Sequence, residues 1–348
     1  MALSLPFYGG ELSAFSPSNS TMSEDTTAGT FNSSVSRCSI VGSARYAYAA
    51  SPTWTAASPM WFHGVNLLAG RSGGGKPNNS CISFYNGSTL VAYLNVSDTP
   101  PDMFSWWQLT LYTLQTGVLT AISPVAYAPT NTFGSPALQI IDIKLTAGAS
   151  GAVALYIGGN LVISASSLDH SGWSSGITSI RIPTLDDNNY GIVTGSNWSQ
   201  IICDTVCTIG RVLLTDNFTN ESATNTAWST YGGGTKLTNV NEVILSDSTG
   251  ITSSTTGQTD TFYQSGLSFG TYNILSRGVS ARAGYYPTAP TQVQFVLRIS
   301  STNYLSGGVS VPNYYQAAFY AWGTNPASST AWTPSTAASI EAGVQSLT

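Results

Sequence analysis

The chain has 348 residues, of which only 8% are charged, while 42% are hydrophobic and 11% aromatic; an ordinary soluble domain is about 25% charged. A net charge of −5 and the lack of any Lys/Arg block argue against nucleic acid as a partner, and so rich an aromatic content argues against disorder. No apolar run approaches the ~20 residues of a membrane-spanning helix, and Met1 to Gly10 has neither a basic stretch nor a sustained apolar core, so no secretory signal is expected.

Taken in chain order, the hydrophobic pattern is that of strands. The first are predicted at 82–85, 90–94 and 108–114. In 138–146, Ile141, Ile143 and Leu145 alternate with Asp142, Lys144 and Thr146, which makes a strand with one apolar face. A loop at 147–151 leads to a strand at 153–157. Gly158-Gly159-Asn160 then forms a tight turn into a strand at 161–165, with glycine supplying positive φ. Further strands are expected at 177–182 and 191–194. Short strands at this spacing, separated by Gly, Ser and Asn, describe a β-sandwich. The polar, Gly-rich stretch 216–234 reads as a domain boundary. Beyond it, strands are expected at 242–245, 261–263, 271–275, 293–299 and 314–322. Thr333 caps a helix that begins at Pro334 and stops at Gly343. The organisation read from this pattern is an N-terminal docking segment (1–21), a jelly-roll domain (22–215) and a smaller C-terminal β-sandwich (216–348).

Two stretches carry a family resemblance. Ile143-Lys144-Leu145 followed by Ala154-Leu155-Tyr156-Ile157-Gly158-Gly159-Asn160-Leu161-Val162 resembles the central hairpin of concanavalin-like or laminin-G-like jelly rolls. The aromatic run at 314–322, with Asn325-Pro326-Ala327, Ala331-Trp332-Thr333-Pro334 and Glu341-Ala342-Gly343-Val344, resembles the C-terminus of tailed-bacteriophage virion proteins, Asn325 standing where that group has Asp. Ser199 to Thr205, Gly210 to Leu214, Val240-Asn241-Glu242 and Gly257 to Phe262 resemble segments of the same phage proteins, departing at Gln200 and Cys203. The resemblance implies an all-β structural protein of a phage virion, a capsid decoration or head fibre or a tail or tail-fibre component. Such a protein would be made in the host cytoplasm and held as a homo-oligomer among other virion proteins.

Catalytic patterns are sparse. There are two histidines, His63 and His170, no Gly-x-Ser-x-Gly and no strand of alternating carboxylates, so a non-enzymatic protein is expected. Cys38, Cys81, Cys203 and Cys207 are expected to be reduced and mostly buried, and no zinc pattern is present. No cofactor is expected, although Asp186, Asp187 and Asn188 gather oxygen ligands that could suit calcium. Carbohydrate is the favoured ligand, because sugar rings stack on aromatic faces and bond to neutral polar groups. The candidates are Trp173, Trp198 and Tyr190 in Gly/Ser/Asn-rich loops, and Trp107 of the Trp106-Trp107 pair. The competing readings are a free lectin and, less favoured, a glycan depolymerase.

Overall fold

The computed structural model describes the backbone of residues 7–9, 16–18, 21–25, 37–41, 48–68, 78–98, 106–123, 126–129, 137–183, 185–186, 193–194, 196–211, 217–241, 247–264, 273–285, 290–338 and 340–348. Side chains are described for 50–66, 81–95, 108–123, 139–182, 198, 200–211, 217–241, 247–264, 273–285, 290–338 and 340–348. The chain divides into two compact units, Pro6–Leu213 and Leu214–Thr348.

The first unit is a sandwich of two antiparallel sheets, the expected jelly roll. Sheet I runs in the order Asn160–His170, Gly148–Ile157, Ala137–Thr146, Met60–Leu68, Ser196–Asp204, Arg37–Val41, Thr21–Asp25, with Phe7–Gly9 also pairing on Ser196–Asp204. Sheet II runs Val118–Ala121, Trp106–Gln115, Thr89–Asp98, Asn78–Asn86, Ser179–Pro183, Tyr48–Ala50, Ser16–Ser18, with Ala126–Pro129 also on Trp106–Gln115. Within the stretch expected to be a docking segment, Phe7–Gly9 and Ser16–Ser18 are strands of these sheets.

Alternation along each strand sorts the side chains. Met60, Phe62, Ile141, Ile143, Leu145 and Leu155 of sheet I are buried against Ile82, Phe84, Leu94, Leu109, Leu111 and Ile180 of sheet II. Phe62 meets Phe84 edge-on at 5.6 Å and Trp198 at 5.3 Å. The Trp198 indole N–H donates to the Cys81 carbonyl of the opposite sheet at 2.9 Å. Gly64 makes room for that ring, since a Cβ there would lie 2.7 Å from two of its carbons. The expected hairpin is present, with Gly158 and Gly159 at φ +56° and +80°.

The second unit is built on a sheet in the order Phe218–Thr226, Thr259–Gln264, Ile340–Leu347, Gln292–Ile299, Thr302–Leu305, with Val309–Ser310 also on Gln292–Ile299. A ribbon of Arg277–Ala283 and Gln316–Trp322 supplies Val279, Ala318 and Trp322 to a common core with Phe295, Leu297, Ile299, Trp332, Ile340 and Ala342.

Three expectations change here. Phe218–Thr226 is a strand within the stretch read as linker, and the units divide at 213/214. The strand expected at 271–275 is irregular backbone at 273–275, and 242–245 lies outside the described residues. The terminal helix is confined to Pro334–Ala338. Thr333 caps it as expected, accepting from the Thr336 N–H at 3.2 Å. Gly343 is no helix stop. It sits in the central strand Ile340–Leu347, where Ile340 and Ala342 alternate into the core, and a Cβ would fall 2.0 Å from the Asp260 carbonyl oxygen.

Candidate functional site

The two tryptophans expected to form a sugar platform are core residues. Trp173 ends the 3-10 turn Ser171–Trp173 and is 2% exposed; its indole N–H donates to the Leu114 carbonyl at 3.0 Å, and its ring packs on His170 at 4.5 Å. Trp198 is wholly buried between the sheets. Neither ring offers a face to a ligand, because each is the polar-tipped aromatic that a sandwich core accommodates when its N–H finds a carbonyl. Tyr190, Asp187 and Asn188 lie outside the described residues, as do the side chains of Asp186 and Trp107.

The histidines are buried as well. His63 donates from Nδ1 to Asp142 at 2.9 Å, and Thr208 donates to the same carboxylate oxygen at 2.8 Å. All three are buried, and Asp142 is paired with His63 and Thr208. They lie on the outer face of sheet I, which the 205–211 segment covers, tied down by Thr208 and by an Arg211–Asp204 ion pair. His170 bonds from Nδ1 to the Thr146 carbonyl at 2.7 Å, and burial pushes its pKa below the ordinary range. Cys81 and Cys203 are buried and their thiols are pushed up by desolvation; Cys207 is exposed.

The outer face of sheet II is different. With Ile82, Phe84, Leu94, Leu111, Ile180 and Ile182 turned inward, the alternate residues face out. Strand register then aligns Arg181, Ser83, Tyr93, Tyr112 and Ala121 in one row across five strands. Asn95 and Thr110 lie alongside as a second cross-strand pair, and they are buried, as Ser83 is. The Arg181 guanidinium sits 4.0 Å over the Tyr85 ring. Tyr93 and Tyr112 stack with centroids 4.6 Å apart and planes within 3°. That separation matches the ~4.8 Å between strands, so the two rings stand up from the sheet and cover one face of each other. The second face of Tyr112 looks along the row towards Ala121, a small exposed residue on the edge strand Val118–Ala121. Burial, followed by the neighbouring Tyr112, raises the Tyr93 pKa above the ordinary phenol value, so Tyr93 remains a neutral hydroxyl at physiological pH. An upright aromatic wall above a small floor residue, with the two phenol hydroxyls on the half-buried rings themselves, can stack a sugar ring and bond its hydroxyls. Sequence reasoning missed it because 83, 93 and 112 meet only through register.

The second unit carries a polar network of its own. Arg298 lies 3.3 Å from Glu341, Thr261 donates to Glu341 at 2.6 Å, and Asn225 donates to Asn303 at 3.0 Å. Tyr263 is 42% exposed beside it, and its phenol pKa is raised first by the Glu341 charge. Among the described residues no group of three or more His, Cys, Asp or Glu is placed to hold a metal ion.

No family model matches the sequence, and no curated protein matches it. Solved structures do. An endo-β-1,4-glucuronan lyase from Trichoderma reesei matches 59% of this chain and 98% of its own, at 10% identity and a TM-score of 0.41. A carbohydrate esterase from bacteriophage phi24B matches 55% of this chain and 89% of its own, at 10% identity and TM-score 0.36. The CBM2 module of the evolved Dit protein of Lactobacillus casei phage J-1 matches 56% and 91%, at 12% identity and TM-score 0.36. At these values the likeness assigns neither a family nor an activity to the chain. It does correct the expectation of a non-enzymatic protein, since a glucuronan lyase, alginate lyases and an esterase stand among these neighbours. Missing carboxylate pairs weigh only against glycosidases of the two-carboxylate kind; eliminating or de-esterifying enzymes do not depend on them.

Proposed function

We propose that this chain is a carbohydrate-interacting jelly-roll protein of a tailed-phage particle, and that its glycan lies against the Tyr93–Tyr112 pair with one ring stacked on the face of Tyr112 that looks towards Ala121. The observation that carries the reading is the upright Tyr93–Tyr112 pair ending at exposed Ala121. Aromatic rings held upright on a rigid sheet provide stacking area without an ordering cost at binding. A chain with so few charges favours neutral hydrogen-bonding contacts over ionic ones. The particle assignment rests on the sequence resemblance, and the phage proteins among the structural neighbours accord with it.

The test takes the full chain against a panel of bacterial surface polysaccharides, following retention of polymer and release of shorter products together. Tyr112→Ala should weaken the interaction about tenfold or more, since losing one stacking contact of ~1.4 kcal/mol is a factor of ten. Tyr231→Ala, an exposed tyrosine of the second unit, should leave it unchanged. Equal binding and turnover by wild type and a folded Tyr112→Ala would refute the site. Immunogold labelling of intact particles tests the location; antigen found only in free solution would favour a lectin or a secreted depolymerase.

A further inference from the structure

Phe218–Thr226 is an edge strand of the second unit. It pairs with Thr259–Gln264 on one side and with no strand on the other among the described residues. Its nine residues, Phe-Thr-Asn-Glu-Ser-Ala-Thr-Asn-Thr, contain no Lys, Arg or Pro, the residues with which open edges commonly refuse a further strand. Protection comes from elsewhere. Asn241 accepts from the Phe218 N–H at 3.0 Å and donates to the Phe218 carbonyl at 2.6 Å. Those are the two bonds that a neighbouring strand would exchange with that residue, so one side-chain amide occupies the docking position of a strand. At the other end, Lys236 donates to the Thr226 carbonyl at 2.9 Å and is held by Asp260 at 3.0 Å. Lys236 and Asn241 bracket the short helix Lys236–Val240, which Thr235 caps by a reciprocal bond with Thr238. Asn239 anchors it further through the carbonyls of Tyr231, Gly233 and Gly250. The two clasps therefore belong to one piece laid along the edge.

We infer that the Lys236–Asn241 segment is an edge guard, and that its release lets Phe218–Thr226 pair with the same strand of a second copy. A second copy is the fitting partner because an antiparallel edge pair is self-complementary under two-fold symmetry, and the stretch that would pair is the one at Phe218–Glu221, since beyond it the ladder is irregular and Ser222 accepts from the Thr224 and Asn225 N–H groups. The strand carries a single charged residue, Glu221, which lies 4.0 Å from Lys236 while the guard is in place.

Asn241→Asp tests this in the full chain. The carboxylate has nearly the same shape but cannot donate to the Phe218 carbonyl. Light scattering across a concentration series should show mass rising with concentration beyond that of the wild type, with native near-ultraviolet dichroism retained. Adding Asn220→Lys on the exposed edge should restore the wild-type mass. A wild-type mass for Asn241→Asp at every concentration would overturn the inference, and so would association that Asn220→Lys does not reverse, since that would mark exposed core rather than edge pairing.

Discussion

Asp260 is the residue whose replacement should be most informative about stability. It lies wholly buried in the strand Thr259–Gln264, with Lys236 Nζ 3.0 Å from one carboxylate oxygen and Glu221 4.0 Å beyond that lysine. The lysine contact is an ion pair rather than a well-aligned hydrogen bond, and both carboxylate oxygens lack a hydrogen-bond partner. Burial is the dominant influence and pushes the carboxyl from 3.8 up to about 6, with Lys236 opposing and Glu221 adding to the rise. Because the folded pKa lies above the unfolded one, the folded unit binds this proton more tightly. The group's contribution is fully favourable below about pH 4 and is lost as pH rises through about 6. A shift of roughly two units at 1.36 kcal/mol each sets a ceiling of about 3 kcal/mol on what the ionised carboxylate costs at neutral pH. Asp260→Asn removes that cost but leaves Lys236 with only the Thr226 carbonyl and Glu221, so a net gain of about 1–2 kcal/mol at pH 7.5 is expected. Urea titrations read by hydrogen exchange of the Thr259–Gln264 strand isolate this unit from the other. The difference between variant and wild type should shrink towards zero or reverse between pH 7.5 and pH 4.5, which cancels every other titrating group. A difference that does not change with pH would refute the reasoning, because the carboxylate would then not be titrating in that window.

Other perturbations follow from single contacts. Gly64→Ala drives a Cβ to 2.7 Å from the Trp198 ring and should cost about 1–3 kcal/mol as overpacking, seen as a lower Tm and shifted tryptophan emission. His63→Ala leaves the Asp142 carboxylate buried with Thr208 alone and should cost about 3–5 kcal/mol in urea unfolding, with the double variant His63→Leu, Asp142→Leu costing less. Trp173→Phe loses the bond to the Leu114 carbonyl and should lower stability by about 1 kcal/mol while leaving any polysaccharide interaction unchanged; a selective loss of that interaction would return Trp173 to the site.

Legibility in the sequence followed the range of each signal. Strands at 138–146, 153–157 and 293–299 were readable because alternation is local, and the Gly158-Gly159 turn because positive φ selects glycine. Met60–Leu68, central in sheet I, was not readable: Met60, Phe62, His63 and Val65 are all buried, since the outer face is covered by the 205–211 segment, and period-two contrast disappears. The same blindness hid the strand after Ala338. Glu341 suggested a helix end followed by Gly343, yet Glu341 is paired with Arg298 across the sheet and Gly343 is small because the Asp260 backbone passes beside it.

The error over the tryptophans has a more general cause. A large aromatic among Gly and Ser reads as an exposed platform because its neighbours lack bulk, but small neighbours are also what lets a chain fold a ring back into the end of a sandwich. Gly176, at φ +103° with its missing Cβ 2.2 Å from the Ala57 carbonyl oxygen, makes such a close approach just after Trp173. The more telling sign was in the strands themselves. Tyr85, Tyr93 and Tyr112 stand at outward positions, alternating with Phe84, Leu94 and Leu111, where a soluble sheet needs nothing larger than Ser or Thr. Aromatics kept on an outer face across neighbouring strands do not serve the core between the sheets, and the proposed glycan contact makes Tyr112, at the Ala121 end of the row, the residue on which that reading stands or falls.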